Sequence, residues 1–209
     1  MTATEPLSAA ARAALRAVAR SAVERAVTER AGISVGGIGP VARGASPGDG
    51  VGAGARGGAA AEATGLSTEL SRIAGAFVTL TIRGRLRGCI GRIEAEEPVA
   101  VVVAAAARAA ALDDPRFPPV ALAELGAIEI EVSVLGPRRK IAGPHELEIG
   151  ADGLIVTKGR RSGLLLPQVA AEHGFGREAF LAETCVKAGL ARDAWREGAE
   201  IFAFRAEVF

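Results

Sequence analysis

The stretch that decides the fold is residues 75–91, which read GAFVTLTIRGRLRGCIG. Over Ala74–Ile82, small and aliphatic side chains occupy every second position, with Phe77 and threonines between them, which is typical of a strand with two unlike faces. Arg83-Gly84-Arg85 has the composition of a tight turn, and Leu86–Ile93 follows as a returning strand. The stretch therefore predicts an antiparallel hairpin.

Working outward from the hairpin, the chain predicts helices and strands in irregular order. Ile128–Leu135 alternates between aliphatic and polar residues, so we expect Ile128, Ile130, Val132 and Val134 to face a core while Glu129, Glu131 and Ser133 face out. The remaining predicted elements are helices over 8–30, 98–112, 167–173 and 177–187 and strands over 154–157, 163–166 and 200–209. Since strands and helices do not alternate, we predict an α+β fold, a mostly antiparallel sheet with packed helices and a smaller subdomain.

Composition divides the chain into three parts. Residues 1–31 are an N-terminal helix expected to pack on the domain, and residues 64–209 form the α+β domain. Residues 32–63 are rich in glycine and alanine and are expected to be a flexible insert. Gly52–Gly57 matches the G-x-G-x-x-G pattern, but it lacks the flanking strand and helix of a dinucleotide site.

Charge and composition exclude several classes of function. The net charge is +1, aromatic residues make up 4% and tyrosine is absent, which argues against nucleic-acid binding. Two cysteines cannot supply a disulfide framework or a four-cysteine zinc site, so we expect a reducing compartment. The sequence carries no cofactor fingerprint, so we expect no cofactor and no metal, with a metal or redox site formed by Cys89 and Cys185 as the less favoured alternative. The longest apolar run, Val99–Ala107, is too short to span a bilayer, and we expect a soluble cytoplasmic protein without a membrane partner.

Cys89 is the first candidate for chemistry, since it stands between Gly88 and Gly91 in a predicted strand. In a regular strand Arg87 and Cys89 point to the same face, about 6.6 Å apart at Cα. A guanidinium beside a cysteine favours the thiolate. Cys89 is therefore either a reactive or ligand-contacting thiol, or a small buried residue of the core.

Other candidate residues each have an ordinary structural interpretation as well. Asp114 and Arg116 lie in a proline-bounded loop that either ends a helix with a local ion pair or binds a ligand. Ser162 suits a turn, Gln168 suits a helix start, and core packing is the default for Cys185. Neither histidine has a sequence reason to face Cys89, which weakens a Cys–His mechanism.

Five segments together resemble one family, the AMMECR domain, whose prokaryotic members are called AmmeMemoRadiSam system protein A. They are GAFVTLTIRGRLRGCIG, DDPRFPP, LGAIEIEVSVL, SGLLLPQVA and LAETCVKAGL, and the six residues 86–91, here the LRGCIG motif, are the most specific. The resemblance implies the α+β fold described above and carries over eight site residues: Arg87, Cys89, Asp114, Arg116, Ser162, Gln168, Cys185 and Lys187. The long insert at 32–63 departs from the family pattern.

The resemblance also implies association with a Memo-like protein and a radical S-adenosylmethionine enzyme. Two hypotheses follow. The first is an accessory or binding subunit of that system, with a groove lined by the LRGCIG strand and the loop Asp113–Pro119. The second is an enzyme in which Arg87 activates Cys89 while Arg116 binds an anionic part of the substrate.

Overall fold

The structure, a computed structural model, describes residues 5–33 and 65–209. Most of the predicted insert, including the glycine pattern at 52–57, lies outside these residues. The helices are α1 (Ala9–Arg30), α2 (65–71), α3 (Val99–Leu112), α4 (Pro167–Glu172) and α5 (Arg177–Lys187). The strands are β1 (Ala76–Ile82), β2 (Arg85–Arg92), β3 (Ile128–Leu135), β4 (Arg139–Ile141), β5 (Asp152–Lys158), β6 (Arg161–Leu165) and β7 (Glu200–Val208).

The predicted hairpin is confirmed. β1 and β2 pair antiparallel through a two-residue turn at Arg83 and Gly84, whose φ angles are +52° and +72°. Two consecutive residues with positive φ make the turn whose twist matches that of paired strands, and glycine adopts such a φ without strain.

The strands form one antiparallel sheet in the order β2-β1-β3-β7-β5-β6, with β4 also pairing with β7. β7 joins the two halves, because its end pairs with β3 at Val208, Glu207 and Ala206 and its earlier residues pair with β5. β2 and β6 are therefore the two edges of the sheet. This arrangement confirms the α+β class.

Two core clusters lie on the helix-covered face of the sheet. The larger joins α1 and α3 to β1 and β3 through residues such as Leu15, Val103 and Val78. The smaller joins α4 and α5 to β5 and β7 through residues such as Phe180 and Leu154. Over residues 5–33 and 65–209, no helix has the length and apolar character needed to cross a bilayer.

A third cluster, here the inner cluster, covers the opposite face of the sheet. Leu135, Ile155 and Phe204 are its buried members, and Phe77 and Leu164 are among the side chains packed on it. It also explains one wrong prediction. Ser133 was expected to face solvent, but it lies opposite Phe77 in the sheet and is buried, because this face is covered at that point.

Candidate functional site

The LRGCIG motif runs along the edge strand β2, and the strand is not regular. Leu80 pairs with Gly88 but Thr81 pairs with Leu86, so Arg87 is the extra residue of a β-bulge. The premise that placed the side chains of Arg87 and Cys89 on one face of a regular strand is therefore wrong.

The bulge commits Arg87 to a structural contact. Its guanidinium donates to both carboxylate oxygens of Glu124, at 2.8 and 2.9 Å, and to the carbonyl of Pro118 at 2.9 Å. The hydrogen bonds with Glu124 raise the pKa of Arg87 and lower that of Glu124. Arg87 thus ties the edge strand to the segment that follows α3.

Asp114 and Arg116 cap the outer edge of β2 at Cys89. The amide N–H of Cys89 donates to Asp114 Oδ2 at 2.8 Å, and Arg116 Nη2 donates to the Cys89 carbonyl at 3.1 Å. Arg116 also donates to the Asp114 carboxylate at 2.7 and 3.0 Å. Because an open strand edge can pair with another chain, this loop protects the edge at one residue.

The Asp114 carboxylate is almost wholly buried, with 2% of its side chain exposed, whereas half of Arg116 is exposed. Hydrogen bonds from Arg116, and then from the Cys89 amide, hold the pKa of Asp114 well below its ordinary value despite the opposing effect of burial. The carboxylate is therefore charged at neutral pH and committed to the loop.

The two glycines of the motif serve close packing. A Cβ on Gly88 would lie 2.1 Å from the carbonyl oxygen of Ala110 in α3, and one on Gly91 would lie 2.4 Å from the Phe77 ring. Gly88 thus permits the helix to approach the strand, and the Phe77 ring covers Gly91 in the manner seen at other edge glycines.

Cys89 is half-buried, and the Thr79 hydroxyl lies 3.3 Å from its sulfur. Glu131 follows Thr79 across the sheet, so Cys89, Thr79 and Glu131 form a row on the face opposite α3. Burial, and then the charge of Glu172, raise the pKa of Glu131. Sequence reasoning missed Thr79 and Glu131 as site residues, although both stand at outward positions of the predicted strands.

A groove of about 640 Å³ opens on the inner face, between the two edge strands. Its lining comes from both halves of the sheet and from α5: Phe77, Gly91, Ile93, Glu94, Arg138, Ile155, Thr157, Ser162, Gly163, Leu164 and Lys187. A second cavity of about 510 Å³ shares four of these residues, Ile93, Glu94, Arg138 and Ile155, and so continues the groove. The structure therefore brings Ser162 and Lys187 together with Gly91 of the motif, whereas the loop Asp113–Pro119 does not line the groove.

The groove has an apolar floor and a polar rim. Arg138 on the rim is paired with Glu94, and its guanidinium lies 5.0 Å from the centre of the Phe202 ring. Lys187 is exposed at the end of α5, and neither its ammonium nor the Ser162 hydroxyl has a partner among the described residues.

Comparison with known proteins identifies the family. The AMMECR1 family model matches residues 50–209. The chain belongs to the AMMECR1 family. A Pyrococcus furiosus protein, PF1979, is 49% identical over 152 residues, which cover 68% of this chain and 72% of that protein. A Methanosarcina acetivorans protein is 48% identical over 140 residues, covering 65% and 70%.

A solved structure shares the fold of this AMMECR1 protein. It is the crystal structure of the uncharacterized protein PH0010 from Pyrococcus horikoshii, which aligns with a TM-score of 0.76 and 38% identity. The alignment covers 97% of this chain and 92% of that one. The AMMECR1 relatives thus support the family and the fold, and their names carry no activity.

Two further residues carried over from the AMMECR resemblance stand apart from the groove lining. Cys185 is fully buried in the smaller core cluster, and burial raises the pKa of its thiol. Gln168 is half-buried in the first turn of α4, and its Oε1 is buried without a hydrogen-bond partner in the described chain. Over the described ranges, no three His, Cys, Asp or Glu side chains are grouped as metal ligands.

Proposed function

We propose that this AMMECR1 protein is a cytoplasmic accessory subunit that binds a partner in the groove between β2 and β6. The partners we propose are a Memo-like protein and a radical S-adenosylmethionine enzyme, which the resemblance to the AMMECR domain implies. The observation that carries the proposal is the convergence of Gly91 of the LRGCIG motif, Ser162 and Lys187 on one open groove.

The hydrogen-bonding state of the polar side chains supports binding in the groove. Arg87, Asp114 and Arg116 are engaged in contacts within the chain, so their charges hold the edge strand in position. Lys187 and Ser162 make no such contacts within the described residues. A groove with an apolar floor and a few polar groups at its rim is typical of a binding site.

Isothermal titration calorimetry with each of the two partners tests the proposal. Ser162→Trp fills the groove and Lys187→Glu reverses its charge, so we expect each to weaken binding about tenfold or more. Arg30→Glu is the matched control, because Arg30 is exposed at the end of α1, on the helix-covered side. Equal affinity of all variants, or no binding of either partner, would overturn the proposal.

A second function, thiol chemistry at Cys89, is favoured by the row formed with Thr79 and Glu131. The thiolate would attack an electrophilic carbon of a small anionic substrate, forming an S–C bond and breaking the bond to the leaving group. The leaving group would take up the proton that the Cys89 thiol loses, and Glu131, in the same row of side chains, would carry that proton between them. Arg116, rather than Arg87, is the guanidinium close to Cys89.

Enzymatic use of Cys89 is separable from binding. Cys89→Ser should abolish turnover by the assembled system while leaving partner affinity unchanged, and Cys185→Ala serves as the control cysteine variant. Full turnover with Cys89→Ser would rule out thiol chemistry and leave the binding role standing.

A further inference from the structure

We propose that the groove receives an extended segment of the partner protein, which adds as a strand to the free edges of β2 and β6 and places an acidic side chain beside Lys187. This inference rests on the proposed binding function and deepens it, since it names the form of the ligand.

The edge of β2 is open beyond the point where Asp114 and Arg116 cap it. In antiparallel pairing, residues whose N–H and C=O groups point out of the ladder alternate with those that point in. The N–H of Cys89 donates to Asp114, so Cys89 points outward, and the register continues without interruption to the pair of Phe77 and Gly91. Gly91 therefore also points its backbone groups outward, where no residue of the described chain bonds them.

The edge of β6 is open in the same way. Lys158 and Arg161 close a two-residue turn, and such a closing pair is bonded across the turn. The next residue, Ser162, and then Leu164 point their N–H and C=O groups away from β5. Both residues line the groove that Gly91 lines from the other side.

Besides backbone partners, the groove offers an apolar floor and a charged group for the side chains of an added strand. An added strand alternates its side chains between two directions, and Phe77, Ile155 and Leu164 give the inward set an apolar floor. The exposed ammonium of Lys187 lies on the rim without a partner in the described chain, so it selects a carboxylate on the incoming segment. Main-chain pairing gives affinity in such complexes, and the side-chain pockets give specificity.

The probe is a set of linear 12-residue peptides selected against the full chain from a random phage-displayed library. We expect the selected peptides to carry an acidic residue and to lose binding when alternate backbone amides are N-methylated, while methylation of the amides between them leaves binding intact. This period of two is the signature of strand pairing, and the modification leaves the protein unchanged. Binding that does not alternate with the position of the methylated amide would overturn the inference, and so would a library that yields no binder.

Variants of the protein give an independent readout. Ser162→Pro removes one outward N–H from the β6 edge, a position where proline is tolerated, and should weaken peptide binding about tenfold. Ser162→Ala removes the hydroxyl but keeps the backbone N–H, so it should weaken peptide binding much less than Ser162→Pro does. Lys187→Gln should weaken acidic peptides and leave peptides with that acidic residue replaced by glutamine unaffected. Equal affinity of Ser162→Pro and Ser162→Ala for the peptides, with both variants folded, would contradict strand addition.

The two proposals fail separately. If peptides bind with a period of two but neither partner competes with them, strand addition stands and the named partners are wrong. If the partners bind in the groove but no peptide shows the period, the binding function stands and strand addition is wrong.

Discussion

The backbone of Cys89 is held by the side chain of Asp114, whose Oδ2 accepts the Cys89 amide at 2.8 Å. A buried carboxylate thus holds the backbone of the cysteine that first suggests chemistry. The sulfur of the same residue contacts Thr79 on the face of the sheet. Two residues further along, at Gly91, no residue of the described chain bonds the same edge. The motif therefore combines a capped edge with an open one.

Removing the charge of Asp114 should destabilise the fold. Asp114→Asn cannot accept all four hydrogen bonds from Cys89 and Arg116, and it leaves the half-exposed guanidinium of Arg116 without its buried counter-charge. We expect the free energy of unfolding to fall by about 2–3 kcal/mol, measured by urea denaturation. Asp113→Asn is the control, because Asp113 is exposed and, within residues 5–33 and 65–209, forms an ion pair only with exposed Arg108. Equal losses for the two variants would show that Asp114 does not hold the edge.

The same carboxylate should make stability depend on pH. Because folding lowers the pKa of Asp114, its contribution is complete above the unfolded value of about 3.9 and is lost as pH falls toward the folded value. The difference in unfolding free energy between wild type and Asp114→Asn should be large at pH 7 and shrink as pH drops below about 4. A difference that stays constant from pH 7 to acid would contradict this linkage.

A methyl group at Gly88 should separate α3 from β2. The Cβ of Gly88→Ala would lie 2.1 Å from a backbone oxygen of α3, which cannot rotate away. We expect a loss of about 3 kcal/mol in unfolding free energy, at the upper end of overpacking effects. Gly126→Ala, with open space around its Cβ, should change stability by less than about 0.5 kcal/mol. A neutral Gly88→Ala would mean that the helix can shift at no cost.

The two cysteines should differ in accessibility to a thiol reagent. Cys89 is half-buried, whereas Cys185 is 0% exposed. Iodoacetamide should modify Cys89 in the folded protein and Cys185 only after unfolding, as read by peptide mass spectrometry. Cys89→Ser should leave the folded chain unmodified. Modification of Cys89 only in denaturant would make it a core residue and end its candidacy for chemistry.

Local periodicity and turn chemistry predicted the elements well. The hairpin of β1 and β2, the alternation of β3 and the helices α1, α3 and α5 all follow from residues close together in the chain. The site was harder to predict, because a single extra residue redirected Arg87, and no pattern in the LRGCIG motif marks the bulge. The sequence singles out the two glycines of the motif. The residues that exclude a side chain at these positions, Ala110 and Phe77, lie on other elements and are not visible in the local pattern.

Sequence reasoning predicted a groove along the LRGCIG strand with the loop Asp113–Pro119 as its other wall, whereas β6 and the end of α5 form that wall in the structure. Residues of β2 and β6, about seventy positions apart in the chain, line the groove together, and β7 joins the two halves of the sheet to which these strands belong. Ser162 and Lys187 entered the prediction only through the resemblance. Their common position beside Gly91 is what the three-dimensional structure adds.

Hydrogen–deuterium exchange on the intact chain, with and without each partner, tests the central claim most directly. If a partner occupies the groove, exchange should slow in peptides covering residues 86–93 and 161–166, while α1, on the helix-covered face, keeps its rate. Protection confined to α1 and α3, or binding without protection at either edge strand, would contradict the account.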